Sequence, residues 1–248
     1  MPEDVYTIFA TGKQNDVPLL NGGMNDEGSG GGGTILYGDG AYFMNYMDLS
    51  AHPPKTPAEY VAWAKTAYGD QADQFLKVYP GDSEAAIAKS VHDVGRDSSL
   101  TGHRTWLQMQ TKTGKSQAFL YLFSHKPPVP STPGTQLPVI GALHGGEFYY
   151  TFDNLHIKDL PWTDTDRKVA DIASSYWVNF AKTGDPNGAG LPRWLAYNAK
   201  DDQLMNLGDN PQAEPVPNKA GLDFLASWEE HFRVSGQSRT EGAGHNWN

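Results

Sequence analysis

Two short apolar runs set the terms for any fold this chain can adopt. Val17-Pro-Leu-Leu20 is bounded by proline and glycine, and Gln117-Ala-Phe-Leu-Tyr-Leu-Phe-Ser124 is an almost unbroken aromatic and aliphatic stretch. Each has the length of a strand, and a strand that is apolar on both faces belongs in a parallel sheet covered on both sides. Between them, from Thr56 to about Lys112, the signals are helical. Strand, helices and parallel strand together predict an α/β architecture.

The helical stretch divides into pieces. Thr56-Pro57-Ala58-Glu59 has the form of a capping box with proline at the first helical position, and Gly69 is a natural stop. Ala72, Phe75, Leu76 and Tyr79 make a second apolar stripe. Ile87, Ala88, Val91 and Val94, opened by Asp82 or Ser83, make a third, and Ser98 to Gln110 is expected as a fourth helix. Further on, Asp164 to Thr183 is strongly amphipathic, with Val169, Ile172, Ala173, Tyr176, Trp177 and Phe180 on one face, a cap at Thr163 or Asp164 and a stop at Gly184. A helix is also expected at Pro2 to Gly12 and another at Gly221 to Phe232, and Gln203-Leu-Met-Asn-Leu207 has the form of a strand.

Composition narrows the function classes. Hydrophobic residues make up 38% and charged residues 19% of 248 positions, which suits a packed core and excludes a disordered chain. The formal net charge is -10 and no basic run occurs, so neither nucleic acid nor an anionic membrane is an expected partner. With no cysteine there can be no disulfide, thiolate metal site or thiol nucleophile. The sequence has no transmembrane run and no signal peptide at Met1-Pro-Glu-Asp-Val, and a soluble protein is expected, without fixing a compartment. No internal repeat or linker divides it, so one unit over residues 1–232 with a mobile tail at 233–248 is expected.

Three blocks carry chemistry. The first is Asn25-Asp26-Glu27-Gly28-Ser29, which puts an acidic pair in a glycine-bounded loop after a strand. The second is Gly141-Ala-Leu-His144-Gly-Gly-Glu147, continuing into Phe148-Tyr-Tyr-Thr-Phe152. The third is Tyr176-Trp-Val-Asn-Phe180-Ala-Lys-Thr-Gly184-Asp-Pro186-Asn187. A histidine acts as general base when a carboxylate holds its other ring nitrogen and stabilises the imidazolium. Either Asp26 or Glu27 could supply that carboxylate to His144. The other seven histidines lack such a setting, although His125 at a strand end is a weaker candidate. His144-x-x-Glu147 also has a metal-like spacing, but the intervening glycines disfavour a helix and no second histidine stands at ligand distance. Gly28-Ser-Gly-Gly-Gly-Gly33 satisfies G-x-G-x-x-G only formally, since no helix opens on it, and a flexible loop is the expectation.

In this order the blocks resemble the C-terminal half of type B carboxylesterases, the cholinesterase-like branch of the α/β-hydrolases. The absence of cysteine makes the resemblance closest to bacterial types, which work in the cytoplasm or are secreted. The resemblance implies a Ser-Glu-His triad that hydrolyses a small carboxylic ester through an acyl-enzyme, with no cofactor and no metal. It assigns the acid to Glu27 and the base to His144. Gly145 would allow close backbone approach, and Glu147 would hydrogen-bond within the histidine loop. It makes the 56–112 helices an excursion over the active site.

The nucleophile of this fold sits in G-x-S-x-G, and no serine here has both glycines. Gly81-Asp-Ser83-Glu-Ala85 and Gly114-Lys-Ser116-Gln-Ala118 come nearest, and both serines have structural settings, a helix cap and a strand entrance. Because the nucleophile precedes the acid in chain order, it is expected before residue 1, in a missing N-terminal half that would also bring the oxyanion donors. The isolated chain would then be inactive and a poor monomer. The alternative is a cholinesterase-like binding module of the adhesion type, without catalysis.

Overall fold

The computed structural model describes residues 3–27, 54–128 and 141–235. The expected glycine loop at 28–33, most of the proline-rich segment after His125 and the tail from 236 onward lie outside them. Helix α1 (Val5–Ala10) leads into strand β1 (Leu19–Met24). Helices α2 (Pro57–Tyr68), α3 (Ala72–Val78) and α4 (Glu84–Thr113) precede β2 (Ala118–Phe123). After α5 (Phe148–Thr151) and α6 (Asp164–Thr183) come β3 (Gln203–Leu207), β4 (Gln212–Pro215) and α7 (Lys219–Ser235). No helix among the described residues is long and apolar enough to cross a membrane.

The sheet has the order β1-β2-β3-β4, with the first three strands parallel and β4 antiparallel to β3. Every residue of β2 is buried, and the pleat sends alternate side chains to opposite layers. Phe119, Tyr121 and Phe123 pack with Val169, Ala173 and Tyr176 of α6 and with Trp194. Ala118, Leu120 and Leu122 pack with Leu100 and Leu107 of α4 and Leu222 of α7. The Trp194 indole donates to the Leu120 carbonyl at 3.1 Å, which fixes the segment before β3 against the central strand. A separate aromatic cluster of Tyr60, Tyr68, Phe75, Phe224 and Trp228 binds α2 and α3 to α7.

Caps form where expected, but Glu59 accepts from the Lys55 N–H and does not close the expected box on Thr56. Thr56 accepts from the Glu59 N–H with proline in the first turn, and Ser83 accepts from the Ala86 N–H. Thr163 and Asp166 form a full capping box on α6, and Gly184 ends that helix at φ 77°. Ser116 is structural too, its N–H and hydroxyl both bonded to Asp16.

Three expectations change. The first strand does not break at its glycines but runs through Gly22 and Gly23 to Met24. A Cβ on Gly22 would fall 2.2 Å from the Tyr121 carbonyl oxygen, so the central strand admits only glycine there. The helices expected at 87–94 and 98–110 are one element, α4. Gly95 and Gly102 each cost roughly 0.5–1 kcal/mol in a helix interior, but Val94, Leu100 and Leu107 are buried on one side, and Arg96 pairs with Asp93 at 3.2 Å and Asp97 at 2.8 Å. The last helix reaches Ser235, beyond the expected boundary at residue 232. Strand β4, Gln-Ala-Glu-Pro, has no apolar alternation to reveal it, since it lies at the sheet edge and buries no full face.

Candidate active site

Glu27 lies just beyond the C-terminal end of β1, at the end of the parallel strands where α/β folds present their functional groups. Its side chain is buried. His144 comes from a tight turn closed by the Gly146 N–H bonding to the Leu143 carbonyl at 2.8 Å. Gly145 follows at φ 74°, a conformation that costs glycine nothing, so this residue is needed for the turn itself. The turn projects the His144 side chain outward, 63% exposed, while Ala142 and Leu143 are buried beneath it.

The two groups meet. His144 Nδ1 donates to Glu27 Oε1 at 2.5 Å. The hydrogen bond to Glu27 is the main force that raises the His144 pKa above its ordinary value, against the opposing effect of burial. With Nδ1 turned to the acid, Nε2 on the far side of the ring is the atom placed to accept a proton. This is the arrangement of a general base backed by an orienting carboxylate.

Glu147 sits behind this pair with its Oε2 buried and without a hydrogen-bond partner among the described residues. The bond expected within the histidine loop is therefore not made by that oxygen. Burial pushes its carboxyl up to about 7, aided by the negative charge of Glu27. Of the neighbouring aromatics, Tyr149 and Tyr150 are core residues, whereas Phe148 and Phe152 are exposed by 54% and 66% and contact each other edge to face.

Asp26 does not compete for His144. Its carboxylate bonds instead to the Ala142 N–H at 2.6 Å and to His92 Nε2 at 2.6 Å. His125, the weaker candidate, is a buried structural residue. Its Nδ1 lies 2.7 Å from Asp209 Oδ1 and its Nε2 2.8 Å from Asp166 Oδ1, tying the end of β2 to the start of α6. Among the described residues, no three histidines or carboxylates gather where they could hold a metal ion.

Two histidines near the site escaped sequence reasoning. His92 and His103 are eleven residues apart, about three helical turns, and so share one face of α4. That face lies on β1, where His103 packs over Gly23 and His92 reaches Asp26. Burial lowers the His103 pKa, against the opposing charge of Glu27. The eleven-residue separation was the signal available in the sequence. Nothing in it revealed which element the face would meet.

Comparison with known proteins gives a consistent family. A family model described as the carboxylesterase family matches residues 1–225. Fumonisin B1 esterase of Sphingopyxis macrogoltabida is 26% identical over 208 residues, covering 81% of this chain and 34% of its own length. Carboxylesterase 1D of Rattus norvegicus is 35% identical over 155 residues, 62% of this chain and 26% of its own. The chain thus spans about a third or less of these relatives. Among solved structures, a thermophilic pNB esterase superposes with a TM-score of 0.60 at 20% identity, over 90% of this chain and 41% of its own. That likeness carries the fold, an α/β-hydrolase arrangement with a mostly parallel sheet.

Proposed function

The chain belongs to the carboxylesterase family, and from that premise we propose that it supplies the acid and the general base of a serine esterase whose nucleophile lies outside residues 1–248. One observation carries the reading. Glu27 and His144, far apart in sequence, are brought to 2.5 Å with the histidine exposed beyond the carboxylate. The absence of any G-x-S-x-G serine and the short span relative to the two curated relatives support an external nucleophile.

In this mechanism His144 Nε2 takes the serine proton as the hydroxyl oxygen attacks the ester carbonyl. The same proton then passes to the departing alkoxide as the C–O bond breaks. A water molecule, deprotonated by His144 in turn, releases the acid and restores the serine. Glu27 stabilises the imidazolium in both halves without taking the proton itself. The substrate class is a small carboxylic ester, and no step calls for a cofactor.

The partner is a polypeptide that carries the nucleophile and lies against the outer side of β1. That side has no neighbouring strand among the described residues. An unpaired strand edge and the exposed rings of Phe148 and Phe152 both favour association. The isolated chain should self-associate or bind a hydrophobic dye in sedimentation and fluorescence measurements, and a compact dye-negative monomer would count against this partner.

The decisive experiment mixes or fuses this chain with a carboxylesterase segment containing G-x-S-x-G and follows p-nitrophenyl ester hydrolysis. The chain alone should not exceed a His144→Ala control. The complemented protein should turn over and be labelled on its serine by an organophosphonate. A folded, complemented protein inert to a panel of esters would overturn the catalytic reading in favour of a binding module.

A further inference from the structure

Asp26 reaches across 116 residues to the Ala142 N–H. The contact is doubled, because the Asp26 N–H also donates to the Ala142 carbonyl at 3.1 Å. Gly141 is shaped to it: a Cβ there would fall 2.3 Å from Asp26 Oδ2. Consecutive residues therefore hold the same loop by different handles. Asp26 grips its backbone at Ala142, and Glu27 grips the imidazole two residues later.

The gripping carboxylate is itself held. Its Oδ1 accepts from His92 Nε2 at 2.6 Å and from the Asn25 amide at 3.3 Å. His92 Nδ1 donates to Asp93 Oδ1 at 3.3 Å, and Arg96 also pairs with Asp93. Asp26 is only 7% exposed, so its charge is stabilised by these partners more than by water. Resting on the reading of Glu27 and His144 as acid and base, we propose that Asp26 is a positioning residue, clamped by His92 of α4, that holds the histidine loop so that His144 stays on Glu27. The long helix thereby becomes a support of the catalytic pair.

Small displacements of a catalytic group are costly to rate. Loss of the clamp should loosen the contact between His144 and Glu27 before it unfolds anything. The readout is the titration midpoint of His144 by proton NMR in the intact chain, which needs no nucleophile. In the unaltered chain the midpoint should lie above the ordinary value of about 6.5. Glu27→Gln should bring it down, and Asp26→Asn and His92→Gln should each lower it by at least half as much. Gly141→Ala should do the same while leaving every charge in place, which separates positioning from a direct charge effect. Thermal melts identify which variants are folded at the temperature of the titration. His92→Gln alters a partly exposed side chain and keeps the test open if Asp26→Asn does not fold.

If Glu27→Gln lowers the midpoint and the folded clamp variants leave it unmoved, the positioning role is overturned and the acid-base pair survives. If Glu27→Gln itself has no effect, the pair is not coupled and the proposal falls with it.

Discussion

Glu27 and His144 stand 117 residues apart in the chain and 2.5 Å apart in space, the carboxylate buried and the imidazole exposed. This asymmetry dictates the pH response. Glu27 raises the His144 pKa, yet a general base must be neutral to accept a proton. In the complemented enzyme kcat/KM should therefore rise with pH and inflect above about 6.5, the unperturbed histidine value. Glu27→Gln should move the inflection downward and lower the plateau by about 10⁴-fold, the scale seen when a triad carboxylate becomes an amide. Steady-state kinetics across pH on both proteins check this.

Removing the base itself should be more damaging. His144→Ala in the complemented enzyme is expected to lower kcat by about 10⁶-fold, because triad members act as a unit, with KM little changed. A raised KM with kcat unchanged would mean that His144 binds substrate and does not transfer protons.

Gly22 and Gly102 should respond in opposite directions to the same substitution. Gly22→Ala drives a methyl into the Tyr121 carbonyl and ring across the β1-β2 ladder, and overpacking of this kind costs about 1–3 kcal/mol or more. Gly102 faces open space within α4. Gly102→Ala should stabilise by roughly 0.5–1 kcal/mol through the entropy of the unfolded chain. Urea unfolding of the two variants beside the parent measures both signs.

These two glycines also mark where sequence reasoning reaches its limit. Elements defined by their own composition were legible: β2 from its continuous apolar run, α6 from its stripe and its Gly184 stop, Ser83 from its place before a helix. Gly22 was not, since the space it must leave belongs to Tyr121, on a strand that arrives only after the helical excursion. The same holds at the site. Glu27 and His144 could be picked out by local loop chemistry, but the choice between Asp26 and Glu27 needed the resemblance, and the use of Asp26 depends on His92 and Ala142 converging from two other elements. Glu147 was placed behind the pair, but not its unpartnered oxygen, because burial is a property of the assembled loop.

Arg104 and Asp202 form a buried, two-pronged ion pair, Nε to Oδ1 at 2.9 Å and Nη2 to Oδ2 at 2.6 Å, with Asp223 as an additional acceptor. Removing one partner strands the other charge away from water. Arg104→Met should destabilise the fold by about 3–5 kcal/mol. Because the pair ties α4 to the turn before β3 rather than to the histidine loop, the NMR titration of His144 should be unaffected wherever the variant remains folded. A change there would show that α4 transmits strain to the site along its length.

The pH dependence of stability should carry the signature of His92. Its side chain donates to Asp26 and Asp93, and these bonds raise its pKa to about 9 against the opposing effects of burial and the Arg96 charge. In the unfolded chain the same imidazole titrates near about 6.5. A group whose pKa is higher in the folded state stabilises that state fully below the unfolded value, and the contribution is lost as pH rises through the folded one. Stability from this cluster should therefore be complete below about pH 6.5 and fall away toward pH 9. Asp26 and Asp93 act in a different window. Their pKa values are lowered, that of Asp93 to about 2, so their share is present above about pH 3.9 and declines only in stronger acid. Urea midpoints between pH 6 and 10 should slope downward for the parent chain and more shallowly for His92→Gln. Equal slopes would mean that His92 releases its proton without cost and does not clamp Asp26.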